Sequence, residues 1–116
     1  MTIQLGENTT DTSTYECDLV SLIVYVHRRA PKAQIILIGD FWNKGKNQLR
    51  KQAAEDVGIP FANLEPIIGD KEYQSKEGTG CILVDGTTRE VTKAEETHPS
   101  DAGMEYIAAK VIENIE

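Results

Sequence analysis

Apolar and polar positions follow two rhythms along this chain. "TIQLG", residues 2–6, alternates apolar and polar side chains and stops at a glycine, which predicts a strand. "AQIILIGD", residues 33–40, is almost continuously apolar, the pattern of a strand buried on both faces. Between them, "LVSLIVYV" has a strand-like composition, yet Leu19, Leu22, Ile23 and Val26 share one helical face. Length and charge decide for a helix over 14–30. Glu16 and Asp18 lie near its start, and Arg28 and Arg29 lie at its end before Pro31, in accord with the helix dipole. Leu49, Ala53 and Val57 predict a second helix over about 46–57, closed by Gly58. "IPFANLEPI" predicts a short strand ending near Leu64, and residues 69–80 read as loop. "CILVDGTTREV" predicts a hairpin with a two-residue turn at Asp85-Gly86. Met104, Ile107, Ala108, Val111, Ile112 and Ile115 form the apolar stripe of a last helix.

The order β-α-β-α-β-hairpin-α predicts an α/β fold: a three-layer α/β/α, flavodoxin-like arrangement. About three parallel strands and a hairpin would form a single domain over residues 1–116. Chemistry in such sheets gathers at the carboxyl ends of the strands. Those ends are Gly6-Glu7-Asn8, Gly39-Asp40-Phe41-Trp42 and Asn63-Leu64-Glu65.

Charge narrows the partners. The net charge of −7 has no basic stripe to offset it, so nucleic acid and anionic membrane are not expected. The basic run from Lys44 to Lys51 reads as a solvated helix face. Cys17 and Cys81 lack metal-ligand spacing and sit in apolar runs, which predicts buried thiols not bonded to each other. No metal or cofactor is implied. No signal peptide or membrane-spanning run is visible, so the chain as it stands reads as cytoplasmic. His27, beside two arginines, reads as solvated.

The other histidine stands in "ETHPSDAGM". A purely structural reading makes Pro99 part of a helix's first turn, Ser100 or Asp101 its cap, and His98 the last loop residue. Two motifs together suggest more. "LGEN" closes the first strand and "EETHPSDAGM" opens the last helix. In this order they resemble the SGNH hydrolases, the GDSL-type esterases and acylhydrolases, and the resemblance extends through "RRAPKAQIILIGDFW" and "FANL". It implies a serine ester hydrolase in which His98 is the catalytic base. Asn8 would be the oxyanion donor, with Gly6 beside it. Glu95 would be the acid partner where the family usually has an aspartate, and Thr9 replaces the family's aspartate after the asparagine. Phe41 and Trp42 stand where a substrate wall would lie, though aromatics in a small domain also serve as core.

The family's Gly-Asp-Ser nucleophile and its second-strand glycine have no counterpart. Ser13, Ser21, Ser75 and Ser100 do not stand in a strand-turn-helix elbow. The resemblance therefore covers only the C-terminal half of such an enzyme, inactive alone unless another chain supplies the serine. The alternative is a non-catalytic α/β half-domain that self-associates or binds a partner. A flavodoxin-like ligand-binding domain is disfavoured because no phosphate-binding glycine loop follows any strand. The unguarded edge of "TIQLG" and the nearly all-round apolar helix from Leu19 to Val26 lead us to expect a homodimer, or a missing N-terminal half, to cover them.

Overall fold

A computed structural model describes all 116 residues. The elements are β1 (Thr2–Ile3), α1 (Tyr15–Arg29), β2 (Ile36–Ile38), α2 (Lys44–Val57), β3 (Phe61–Ala62), β4 (Gly80–Ile82), β5 (Thr88–Glu90) and α3 (Asp101–Glu113), with 3-10 turns at Glu65–Ile67, Lys71–Tyr73 and Lys93–Glu95. The chain is mixed α/β. It divides into two compact units, one of residues 1–68 and 107–116, the other of residues 69–106.

The first unit is built on a parallel sheet in the order β1-β2-β3, with Thr2 opposite Ile36 and Leu37 opposite Phe61. Successive right-handed crossovers in one direction place both connecting helices on the same face. α1 and α2 accordingly pack on each other and on that face. Their core joins Ile3, Ile35 and Leu37 of the sheet to Tyr15, Leu19 and Ile23 of α1 and Ala53 and Ala54 of α2. Ile36 and Ile38 point the other way and are buried as well, so β2 is covered on both faces, as its apolar run predicts. α2 starts two residues earlier than its apolar stripe suggested, because the Asn43 side chain caps it by accepting from Lys46 N at 2.9 Å; Gly58 closes it in the left-handed conformation.

The strands are shorter than their apolar runs, and at the carboxyl ends of β1 and β2 the reason is Arg50. This residue, expected on a solvated face, is only 1% exposed. All five of its N–H bonds are used. Nε donates to Tyr15 Oη (2.8 Å), Nη1 to the carbonyls of Ile38 and Gly39 (3.0 Å each), and Nη2 to Leu5 O (2.7 Å) and Asp40 Oδ2 (3.2 Å). Tyr15 Oη donates in turn to Leu5 O. The carbonyls that would continue β1 and β2 thus accept from a side chain, and the ladder ends there. Asn47 extends the network, accepting from Asp40 N (3.0 Å) and donating to Asn63 Oδ1 (2.9 Å) beyond β3. No side-chain polar atom is left buried without a partner.

The last helix departs from its expected stripe. Ile107 is buried and Val111 half-buried, whereas Met104, Ile112 and Ile115 are exposed. The inward line of α3 runs through Gly103 and Ile107, and just past its end Gln34 Nε2 donates to Asn114 O at 2.9 Å.

The second unit has no buried hydrophobic residue. Backbone pairing and one ring contact hold it: the antiparallel β4–β5 hairpin, a bridge between Gln74 and Pro99, and the edge-on contact of Tyr73 with Tyr106 at 5.6 Å. The hairpin loop is not the expected two-residue turn. Leu83 N donates to Thr87 O and Gly86 N to Leu83 O, giving a three-residue loop with Gly86 at φ +84°. Asp85 lies outside the positive-φ region, which a type I′ turn would require of it.

The Arg50 network carries the first prediction. Arg50→Ala strands a buried carboxylate and three strand-end carbonyls and should destabilise the chain by about 3–5 kcal/mol. Arg50→Lys supplies fewer donors without the planar fork and should still cost about 2 kcal/mol. Urea unfolding followed by circular dichroism checks both; a wild-type midpoint for Arg50→Lys would show that charge alone suffices.

Candidate functional site

The carboxyl ends of the strands carry the first group of candidate residues. Gly6 follows β1 at φ +89°, and a Cβ there would lie 2.6 Å from the Tyr15 ring. Glycine is therefore required at this position by packing and backbone conformation together. The loop then turns, with Thr9 N donating to Gly6 O, and leaves Asn8 exposed. Lys46, in the first turn of α2, fixes this loop by donating from Nζ to Glu7 O (2.7 Å) and Gly6 O (3.3 Å). Asp40 turns the chain after β2, its Oδ1 accepting from the backbone N–H of Trp42 (2.8 Å) and of Asn43 (2.7 Å). Of the two aromatics considered for a substrate wall, Phe41 is buried at 1% exposure. Trp42 is 38% exposed and meets Phe41 edge-on at 5.2 Å. Trp42 is thus the one of the pair that presents surface.

Sequence reasoning missed the residues that hold these ends: Arg50, Tyr15, Asp40 and Asn47. One signal was available. Asn47, Arg50, Ala53 and Ala54 recur at helical spacing, so position 50 lies on the buried face of α2.

His98 and Glu95 belong to the second unit. Glu95, Glu96, Thr97 and His98 form a turn in which His98 N donates to Glu95 O at 3.2 Å. Glu96 has φ −56° and ψ 142°, and Thr97 has φ +72°, the only positive φ outside glycine. This is the type II pattern, whose third residue is ordinarily glycine. Thr97 N then donates to Ser75 O, and Ser75 N to His98 O at 2.7 Å, so two residues oppose one as in a G1 bulge. The same bonding recurs where Gly78 and Thr79 oppose Val91, and where Gly86 and Thr87 oppose Leu83. Glycine fills the left-handed position in those two bulges; a β-branched threonine fills it beside His98.

Glu95 is committed to its own surroundings. Its carboxylate takes a two-pronged pairing from the Arg89 guanidinium, and Oε2 also accepts from Thr92 N (2.8 Å) and Thr92 Oγ1 (2.9 Å), completing a capping box. Arg89, and then the Thr92 backbone and hydroxyl, hold its pKa down at about 2. Glu96 pairs with Lys93.

No serine stands in a nucleophile elbow. Ser75 Oγ donates to Pro99 O at 3.3 Å, and Ser100 Oγ accepts from Gly103 N at 3.2 Å, capping α3 as the sequence suggested. Pro99 precedes that cap and pairs with Gln74; it is not in the helix's first turn. An open cleft of about 320 Å³ beside these residues is lined by Ser75, Cys81, Ser100 and Asp101, among others. Both thiols are free, but Cys17, expected to be buried, is exposed on α1, whereas Cys81 is half-buried. No cluster of His, Cys, Asp and Glu is arranged to hold a metal ion, and no helix is long and apolar enough to cross a membrane. Comparison with known protein families, with curated proteins and with solved structures finds no match to this chain.

Two predictions follow from the turn before His98. Thr97→Gly relieves the left-handed threonine and should stabilise the second unit by about 1 kcal/mol, net of glycine's added unfolded-state freedom. Slower amide exchange at Ser75 and His98 would register it. The Glu95 carboxylate titrates lower folded than unfolded, so its contribution is present above the ordinary value of 4.5 and is lost as pH falls from there toward about 2. Amide exchange over 69–106 should therefore accelerate on acidification through that window, and Arg89→Gln should flatten the response.

Proposed function

We propose that this chain is the base-and-oxyanion half of an SGNH-type ester hydrolase, inactive or nearly so alone because it has no nucleophilic serine. Its parent reaction would be hydrolysis of an acyl or acetyl ester on a carbohydrate or lipid. The proposal rests on the "LGEN" and "EETHPSDAGM" motifs. The structural observation that carries it is Thr97 at φ +72° immediately before His98. Strain of this kind gathers at functional sites, where it fixes a side chain that free choice of residue would leave looser. His98 would act as base and the exposed Asn8 amide as oxyanion donor. Trp42 would offer an apolar surface to the substrate. The three-layer, flavodoxin-like arrangement belongs to the same proposal. It is supported by a parallel sheet with α1 and α2 on one face and by burial of Ile36 and Ile38 on the other.

One observation favours the second reading, a non-catalytic α/β module. The carboxylate assigned to orient His98 is held by Arg89 and Thr92. On that reading Glu95 stiffens residues 69–106 and has no catalytic task.

Hydrolysis of p-nitrophenyl acetate separates the two. The hydrolase reading expects turnover about 10⁴-fold or more below a complete triad, without a burst and insensitive to a fluorophosphonate. The residual rate should fall in both His98→Ala and Asn8→Ala. A rate unmoved by Asn8→Ala would support the non-catalytic module. Saturable turnover blocked by the fluorophosphonate would refute the missing nucleophile.

A further inference from the structure

Two features outside the candidate site complement each other. The first is a cavity of about 280 Å³ between the C-terminal ends of α1 and α2. Ile23, Val24, Val57 and Ile59 give it aliphatic walls, and Gly58 leaves part of its rim without a side chain. His27 and Arg28, both exposed, complete the lining. The ion pairs of the chain use Arg50, Arg89, Lys93 and Lys110, so the Arg28 guanidinium is not neutralised by a carboxylate. The second feature is the tip of the β4–β5 hairpin. Ile82 is 79% exposed, and Val84 is as exposed as an isolated residue. Next to Val84 stands Asp85, whose Oδ1 accepts from Thr87 N and Thr87 Oγ1. Those bonds favour the ionised carboxylate.

An apolar knob with an adjoining anion and an apolar hole with an adjoining cation thus stand on one chain. We propose that the hairpin tip of one copy docks in the α1–α2 cavity of a second copy, Val84 entering between Val24 and Ile59 and Asp85 meeting Arg28. The contact joins two different surfaces, so association is head-to-tail: it closes into a ring or grows as an open chain according to the rotation it imposes. Charge selects this contact. The net charge of −7 opposes indiscriminate self-association, while the basic end of α1, with His27, Arg28 and Arg29, attracts the acidic tip locally. The inference does not depend on the hydrolase reading, because it uses none of the candidate catalytic residues.

Sedimentation velocity of the full chain from about 5 to about 500 µM, in about 150 mM salt, tests it. The weight-average sedimentation coefficient should rise with concentration. Val84→Asp and Arg28→Glu, both surface changes, should each weaken association by about tenfold or more. Mixed together they should form a heterodimer and nothing larger, because one keeps a working cavity and the other a working tip. Asp85→Arg combined with Arg28→Glu should restore assembly. A monomer at every concentration would overturn the proposal, as would association undiminished in Val84→Asp. Both single variants leave His98 and Asn8 in place, so their esterase behaviour is read independently.

Discussion

A buried guanidinium organises the carboxyl ends of this sheet. Taking Arg50 out of water is costly, and the cost is offset only because every N–H finds an acceptor and an aspartate lies beside it. The acceptors are the carbonyls that β1 and β2 would otherwise offer to the sheet. Arg50 therefore sets where the strands stop, joins α2 to the Tyr15 end of α1, and fixes the points from which the candidate loops depart. An aliphatic residue at position 50 could fill the space but would leave these carbonyls unsatisfied. The small residues Ala53 and Ala54, one turn along, let α2 lie close to the sheet.

The second unit follows different physics. Without a buried apolar side chain, residues 69–106 rely on turns, bulges and charge-assisted hydrogen bonds, each of modest strength in water. Three bulges with the same bonding shape its strand pairings. Two take glycine, and the third takes Thr97 directly ahead of the histidine on which the functional proposal depends. A site on such a unit is positioned by the backbone more than by packing. That makes the Arg89–Glu95–Thr92 cluster important as the local clamp, and it also explains why Glu95 is a weaker candidate for partnering His98 than its place in the sequence suggests.

Parts of this structure were legible in the residue pattern. The apolar stripe and charge bias of residues 14–30 placed α1 within one residue at each end, and Gly58 marked the end of α2. The continuous apolar run ending at Ile38 announced a strand buried on both faces. Local rules suffice there, because capping, dipole and periodicity act over one or two turns. The candidate residues were legible as a motif only: "LGEN" and "EETHPSDAGM" can be read by eye, but Glu95 has two uses that its neighbours decide. The hairpin was located correctly while its turn type was not, because Asp-Gly serves a two-residue turn and a three-residue loop alike.

Sequence alone thus determined the order of helices and strands and the parallel sense of the sheet, both consequences of short-range pattern. Tertiary structure decided where each strand ends, that Arg50 lies inside, that Phe41 is buried while Trp42 is not, and which face of α3 turns inward. Burial is a property of surfaces meeting from distant parts of the chain. An arginine between lysines looks solvated until the carbonyls of Leu5, Ile38 and Gly39 converge on it.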